Sequence, residues 1–352
     1  MAGPGPGPGP VPVHSRARAV SVAAIVFLLV AMVVPLVALP AVRCAVFGAG
    51  CVTPPPPPRS NPSRSPVSLT PVEAATWGRY VALGDSYSSG EGSYGVGVAA
   101  DTALVNRCRR TSQSYVHVVG EAFRFARGSA HWACSGATTR HVLKGKSGEP
   151  PQVTRVDPDT SLVTITIGGN DAGFSRVLTG CMVAVPFGGG CREQAPEVAR
   201  RLAALRVSLA GVLDEITTRA PSARVLVLGY PRLFSEAAGQ GLDNLSVGDQ
   251  RWLNAEAREL GRVMRETVQE ADRKVVDEHG RGSVEFIDAY GGFAGHEIGS
   301  ADPYVNGLNL NLMELRAEAR SFHPTAAGYR RLAELVVHQV KAGPGRRLNQ
   351  YR

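Results

Sequence analysis

Five short apolar runs recur through the C-terminal three-quarters of the chain: Tyr80–Leu83, Ala130–Ala133, Leu162–Ile167, Arg224–Leu228 and Val284–Ile287. Helical sequence separates the later ones. Residues Glu193–Arg219 place Val198, Leu202, Leu205, Leu209, Val212, Leu213 and Ile216 on one face, and Pro221 stops the pattern. A longer amphipathic stretch runs from Val247 to Glu278 with Gly280 beyond its end, and a last one covers Ala326–Val340. Strands without polar alternation are buried on both faces, which requires helices above and below a parallel sheet. The expected fold is therefore α/β, a three-layer α/β/α sandwich around a mostly parallel five-stranded sheet. Its functional residues should gather at the carboxyl ends of the strands.

The rest of the chain divides by composition. Residues 1–18 are a Pro/Gly-rich tail too poor in apolar side chains to pack, and 19–42 form an apolar run without acidic residues behind His14, Arg16 and Arg18. As a helix of about 24 residues that run would reach roughly 36 Å, enough for a bilayer core of about 30 Å. Pro35 and Pro40 equally suit the breakdown of a signal peptide into its cleavage region. It reads as a signal or a membrane anchor, and in either case the basic flank predicts export of the C-terminal domain. Residues 43–72, with Pro54–Pro58, form an extended Pro-rich linker. The folded domain is expected over 73–345, and 346–352 form a basic tail. The domain is thus expected to be secreted or anchored to the outer face of the cell membrane.

A net charge of +8 raises the question of nucleic acid, but the basic residues are scattered and no aromatic-basic stripe accompanies them. No nucleic-acid partner is expected. A basic surface suits association with an anionic membrane or cell-wall polymer, and with no sign of an obligate partner a monomer is expected. Gly48-Ala49-Gly50-Cys51 lacks the branched apolar residue of a lipid-attachment box, so Cys44 and Cys51 pair with each other or are removed. Within the domain Cys108, Cys134, Cys181 and Cys191 allow three connectivities. Cys181–Cys191 is the natural local pair across a Gly-rich loop, which leaves Cys108–Cys134. Neither CxxC spacing nor clustered histidines support a metal site.

Chemistry concentrates at the ends of the runs. The first leads straight into Gly84-Asp85-Ser86, where a serine just past a buried strand exposes its hydroxyl and directs its N–H at a developing oxyanion. The second leads into Ala133-Cys134-Ser135-Gly136, and the third into Gly168-Gly169-Asn170-Asp171, whose asparagine offers a neutral amide donor. Near the C-terminus, Phe322-His323-Pro324 sets a histidine just ahead of the last helix. Asp85 and Asp171 are read as holders of loop hydrogen bonds, and Phe174, Val177, Leu178, Met182, Val183, Val185 and Phe187 either as candidates for an acyl-chain pocket or as ordinary core and loop contacts.

These four blocks, in this order over roughly residues 78–340, resemble the SGNH hydrolase superfamily, also called GDSL esterases and lipases, and most of all its secreted actinobacterial lipases. The resemblance implies a flavodoxin-like SGNH hydrolase fold and a catalytic Ser86 activated by His323. It further implies an oxyanion hole from the Ser86 N–H, the Gly136 N–H and the Asn170 amide, with no metal or organic cofactor. The implied activity is serine carboxylic ester hydrolysis of lipid or short-to-medium acyl esters through an acyl-enzyme. A polysaccharide acetyl esterase, or a cell-surface binding protein that has lost catalysis, are the alternatives.

Two departures from the family stand out. Where it carries an aspartate three residues before the histidine, this chain has Arg320. The imidazole would then be oriented by the Arg320 backbone carbonyl, which is the favoured arrangement, or by Glu318, Asp288 or Asp302. The resembling lipases also carry a third disulfide, one cysteine of which lies in the loop after the fifth strand. Here that loop, and the stretch after Tyr230-Pro231, have none, and a more mobile loop is expected.

Overall fold

Each apolar run becomes a strand of one sheet. The computed structural model describes residues 24, 26–31, 67–93, 107–182, 190–236, 245–311 and 316–350. The chain forms two units, Met1–Arg64 and Ser65–Arg352. In the first, residues 24 and 26–31 are helical. Most of segment 19–42, Cys44, Cys51 and linker residues 43–66 lie outside the described residues. Among the described residues no helix is long and apolar enough to cross a membrane.

The second unit opens with β1 (Val67–Leu69), α1 (Pro71–Thr76), β2 (Arg79–Gly84), α2 (Ser86–Ser89), α3 (Tyr115–Ala122) and β3 (Ser129–His131). It continues with α4 (Thr139–Lys144), β4 (Thr160–Thr166), α5 (Phe174–Met182), α6 (Ala195–Arg219), β5 (Arg224–Leu228) and α7 (Val247–Asp277). It ends with β6 (Ser283–Ile287), α8 (Ala289–Gly292), β7 (Leu310–Asn311), β8 (Arg316–Ala317), α9 (Ala326–Ala342) and β9 (Leu348–Gln350). The central sheet runs β3-β2-β4-β5-β6 and is parallel throughout. Helices α1, α3 and α9 pack together as one layer, and α4, α6 and α7 as the other. All seven apolar residues read on the α6 face are buried. After β2 the chain moves to one side of the sheet for β3 and returns to the other side for β4. The crevice at the carboxyl ends of β2 and β4 is thus the topological switch point, where such sheets hold their ligands.

The ends of the domain need correcting. Leu69 and its neighbours, read as linker, form β1, which pairs antiparallel with β9, read as tail. Thr70 and Glu73 form a capping box that starts α1. The physical reason lies in the core: Arg224 is fully buried against Glu285 and also donates to the carbonyls of Pro71, Gln339 and Val340. That buried cation takes an acceptor from Pro71, ahead of the expected start, and Arg346 of the expected tail donates to Asp272 and to the Gly282 carbonyl, each at 2.8 Å.

Disulfides join Cys108 to Cys134 and Cys181 to Cys191. The two stretches without the third disulfide are joined by other means. Ile298 N–H donates to the Leu233 carbonyl at 2.8 Å and Ser235 N–H to the Ile298 carbonyl at 2.9 Å. Arg232 pairs with the buried Glu297 across the same junction. An ion pair and main-chain bonds join these two stretches.

Candidate active site

The end of β2 turns sharply. Gly84 has φ +124°, and a Cβ there would sit 2.4 Å from the Thr166 carbonyl oxygen, so only glycine lets the two strands run this close into the turn. Asp85 caps α2 by accepting the Tyr87 N–H at 3.0 Å. Its carboxylate also accepts the Thr166 hydroxyl at 2.7 Å and the Tyr230 hydroxyl. Burial pushes the Asp85 carboxyl up to about 6 against the lowering pull of these donors. It is an acceptor hub beneath the turn, in line with the role read for it. Ser86, the first residue of α2, is 7% exposed. The N–H groups of a first helical turn have no acceptor within their helix.

At the end of β4, Gly169 N–H donates to the Tyr230 hydroxyl oxygen at 2.9 Å. A Cβ on Gly169 would stand 2.9 Å from the Tyr230 ring. Tyr230 thus clamps the ends of β2 and β4 through Asp85 and Gly169. The Asn170 side-chain amide donates one N–H to the Ala137 carbonyl at 2.9 Å, leaving its second N–H for the crevice. Asp171 accepts from the Thr139 N–H at 3.1 Å and from its hydroxyl at 2.6 Å. These bonds tie the loop carrying Gly136, at φ +72°, to the loop carrying Asn170.

His323 arrives from the far end of the chain. Its Nε2 lies 2.8 Å from Ser86 Oγ, and its Nδ1 lies 3.0 Å from the Ser321 carbonyl oxygen. An N–H on Nδ1 leaves a lone pair on Nε2 facing the serine hydroxyl. The expectation for Arg320 is corrected here. Its carbonyl accepts the His323 backbone N–H at 3.1 Å, a tight turn that takes up the acceptor three residues back, while the Ser321 carbonyl faces the ring. The Arg320 side chain instead pairs with Glu318 at 2.7 Å. Asp288 caps Gly291 N–H at 3.2 Å, and Asp302 lies 3.5 Å from His296. Phe322 adopts φ +62°, strained for an aromatic residue. Its carbonyl accepts the Tyr87 hydroxyl at 2.5 Å, and its N–H reaches the Asn306 carbonyl at 3.0 Å. Burial lowers the His323 pKa below the usual histidine value, opposed by the Glu91 carboxylate and the main-chain acceptors.

A cavity of about 220 Å³ opens beside Ser86, Asn170 and His323. Phe174, Leu178 and Met182 of α5 line it, with Leu233, Phe322, and Ala257 and Leu260 of α7. Val177, the other described pocket candidate, is buried in the core. Residues Val183, Val185 and Phe187 lie outside the described residues. Sequence reasoning missed Tyr87, Tyr230 and Glu91. Tyr230 follows a strand end, as Ser86 and Asn170 do, and that position was the available signal. Glu91 stands between Gly90 and Gly92, and its burial follows only from the fold.

The model of the GDSL-like lipase/acylhydrolase family matches residues 82–331. A lipase of Streptomyces rimosus is 35% identical over 258 residues, 71% of this chain and 81% of that protein. Lipase 1 of Streptomyces coelicolor is 34% identical over 255 residues, again 71% and 81%. Among solved structures, phospholipase A1 from Streptomyces albidoflavus NA297 superposes with a TM-score of 0.61 at 31% identity, covering 75% of this chain and 99% of that one. The extracellular lipase from Streptomyces rimosus gives 0.59 at 31% identity, covering 74% and 99%.

Proposed function

Since this chain belongs to the GDSL-like lipase/acylhydrolase family, we propose that Ser86 and His323 carry out its ester hydrolysis through an acyl-enzyme. The observation that carries this reading is the 2.8 Å approach of His323 Nε2 to Ser86 Oγ, with Nδ1 committed to a carbonyl. As Ser86 Oγ attacks the ester carbonyl carbon, its proton passes to Nε2. The carbonyl oxygen becomes negative and faces the N–H groups of Ser86 and Gly136 and the free amide N–H of Asn170. His323 then returns the proton to the leaving alkoxide, and water, deprotonated by the same Nε2, releases the acid.

The Ser321 carbonyl selects the tautomer without adding a charge, so the site works as a dyad. Replacing Arg320 with alanine is accordingly expected to lower kcat less than about tenfold, far from the roughly 10⁴-fold cost of a wrong tautomer. Steady-state kinetics on p-nitrophenyl butyrate decide this. A thousandfold loss would return the orienting role to the Arg320 segment.

Lipid or short-to-medium acyl esters are the substrates that fit best. The described lining of the cavity beside Ser86 carries Phe174, Leu178, Met182, Leu233, Leu260 and Phe322 on its apolar side, with Tyr87 and Tyr230 near the nucleophile, which suits an acyl chain. Ala257→Phe should fill its far wall and exclude about three methylenes, each worth ~0.8 kcal/mol of burial. The expected result is a roughly fiftyfold fall in kcat/KM for p-nitrophenyl octanoate with the acetate ester nearly unchanged. Equal losses on both esters would remove the cavity from the acyl path. The basic flank and apolar run 19–42 support export, and the Streptomyces rimosus relative is itself described as extracellular.

A further inference from the structure

Glu91 is a carboxylate 2% exposed, close to a histidine whose Nδ1, among the described residues, meets a main-chain carbonyl and not a carboxylate. It closes the nucleophile loop, donating its N–H to the Ser86 carbonyl at 3.2 Å and accepting the Tyr329 hydroxyl on its own carbonyl at 2.7 Å. The next residue, Gly92, packs on His323 so tightly that a Cβ there would stand 2.7 Å from the histidine Cβ. One carboxylate oxygen of Glu91 accepts the Ser135 hydroxyl and the other the Arg109 guanidinium. These two partners directly follow the cysteines of the Cys108–Cys134 disulfide, and Ser135 N–H donates to the Cys108 carbonyl at 2.9 Å. Ser135 in turn precedes Gly136, so one buried carboxylate ties the oxyanion loop to the loop that bears the nucleophile.

We propose that Glu91 is a positioning residue of the ester-hydrolysing site: it holds the Ser135–Gly136 turn at the nucleophile and gives His323 the negative field a carboxylate partner would otherwise supply. The inference rests on the Ser86–His323 reading. The other described titratable groups around the imidazole do not replace that field. The Tyr87 ring, 5.3 Å away between centroids, stays neutral because burial raises its pKa. Glu318 and Arg320, on the histidine's own segment, pair with each other. Asp85 is held under α2 by Tyr230 and Thr166. Arg109 opposes Glu91 at the ring, but its side chain is 35% exposed against 3% for Glu91, so water screens the cation more than the anion. The remaining field favours the imidazolium that forms when Ser86 gives up its proton.

Glu91→Gln keeps the size and a hydrogen-bonding oxygen while removing the charge. Two effects are expected together on p-nitrophenyl butyrate. First, kcat falls roughly tenfold to a hundredfold with KM nearly constant, less than loss of a whole oxyanion donor. Second, the acid limb of kcat/KM moves to lower pH by about 0.5 or more, because losing a nearby anion makes the histidine easier to deprotonate. Ser135→Ala removes only the loop contact, so it should lower kcat several-fold, roughly a 1 kcal/mol bond, and leave the limb in place. A fall in kcat with an unmoved limb in Glu91→Gln, or unchanged kcat in either variant, overturns the proposal. Ser86→Ala run in parallel separates the two readings: if it retains turnover, the catalytic reading itself has failed.

Discussion

Replacing Ser86 with alanine should reduce kcat for ester hydrolysis by about 10⁴–10⁶-fold while the protein stays folded. The side-chain hydroxyl meets His323 at 2.8 Å, whereas the turn is held by main-chain groups, the Asp85 cap and the Gly84 conformation. Removing one oxygen therefore removes the nucleophile and leaves its scaffold. His323→Ala should cost a comparable factor, and the double variant little more than either single one, because base and nucleophile act as a unit. Burst and steady-state kinetics on p-nitrophenyl esters, with thermal unfolding as the control for folding, supply the measurement. Independent, additive losses would break the dyad. If the wild-type protein itself showed no Ser86-dependent turnover on acyl or acetyl-sugar esters, the catalytically inactive binding protein would become the better account. A serine hydroxyl 2.8 Å from a histidine Nε2 whose Nδ1 meets a main-chain carbonyl has no use in such a binder.

Much of this was legible in the sequence because the signals were local. Unbroken apolar runs such as Leu162–Ile167 forecast a doubly covered parallel sheet, and the residues just past them forecast Ser86 and Asn170. The helical face of Val198–Ile216 forecast a buried stripe. What escaped depends on contacts between distant segments. The Tyr230 clamp spans 145 positions to Asp85, and no local pattern encodes it. The orienting carbonyl was assigned to Arg320, where the family aspartate stands, but a carbonyl's direction follows from the turn around it. With Phe322 at φ +62° and the Arg320 carbonyl engaged by His323 N–H, the Ser321 carbonyl takes the role. The Arg232–Glu297 pair was missed for a related reason. An absent disulfide was read as an absent tether, whereas a half-buried ion pair joins the two stretches with residues that look unremarkable in sequence.

The same logic predicts that Asn170→Ala lowers kcat by about 10²–10³ with little change in KM. One amide N–H of Asn170 is spent on the Ala137 carbonyl at 2.9 Å, and that bond aims the other into the crevice beside Ser86. The ground-state ester oxygen is only weakly basic, so the donor contributes little to substrate binding. It matters once the oxygen carries charge in a site screened from water, where each preorganised donor contributes about 2.7–4 kcal/mol. Loss of the Ala137 bond complicates the reading, since the Gly136 loop is tied through it. Asn170→Asp removes both N–H groups and sets a negative charge against the oxyanion. Thr139→Val instead cuts the same loop's tie to Asp171 and keeps both Asn170 N–H groups. Expected to cost less than about tenfold, as one hydrogen bond does, Thr139→Val separates the two effects. The aspartate variant should be worse than alanine in kcat, with thermal stability lowered by no more than about one hydrogen bond, ~1 kcal/mol, in either. If alanine cost less than about threefold, or no more than Thr139→Val, Asn170 would not act on the oxyanion, which would then depend on the Ser86 and Gly136 N–H groups.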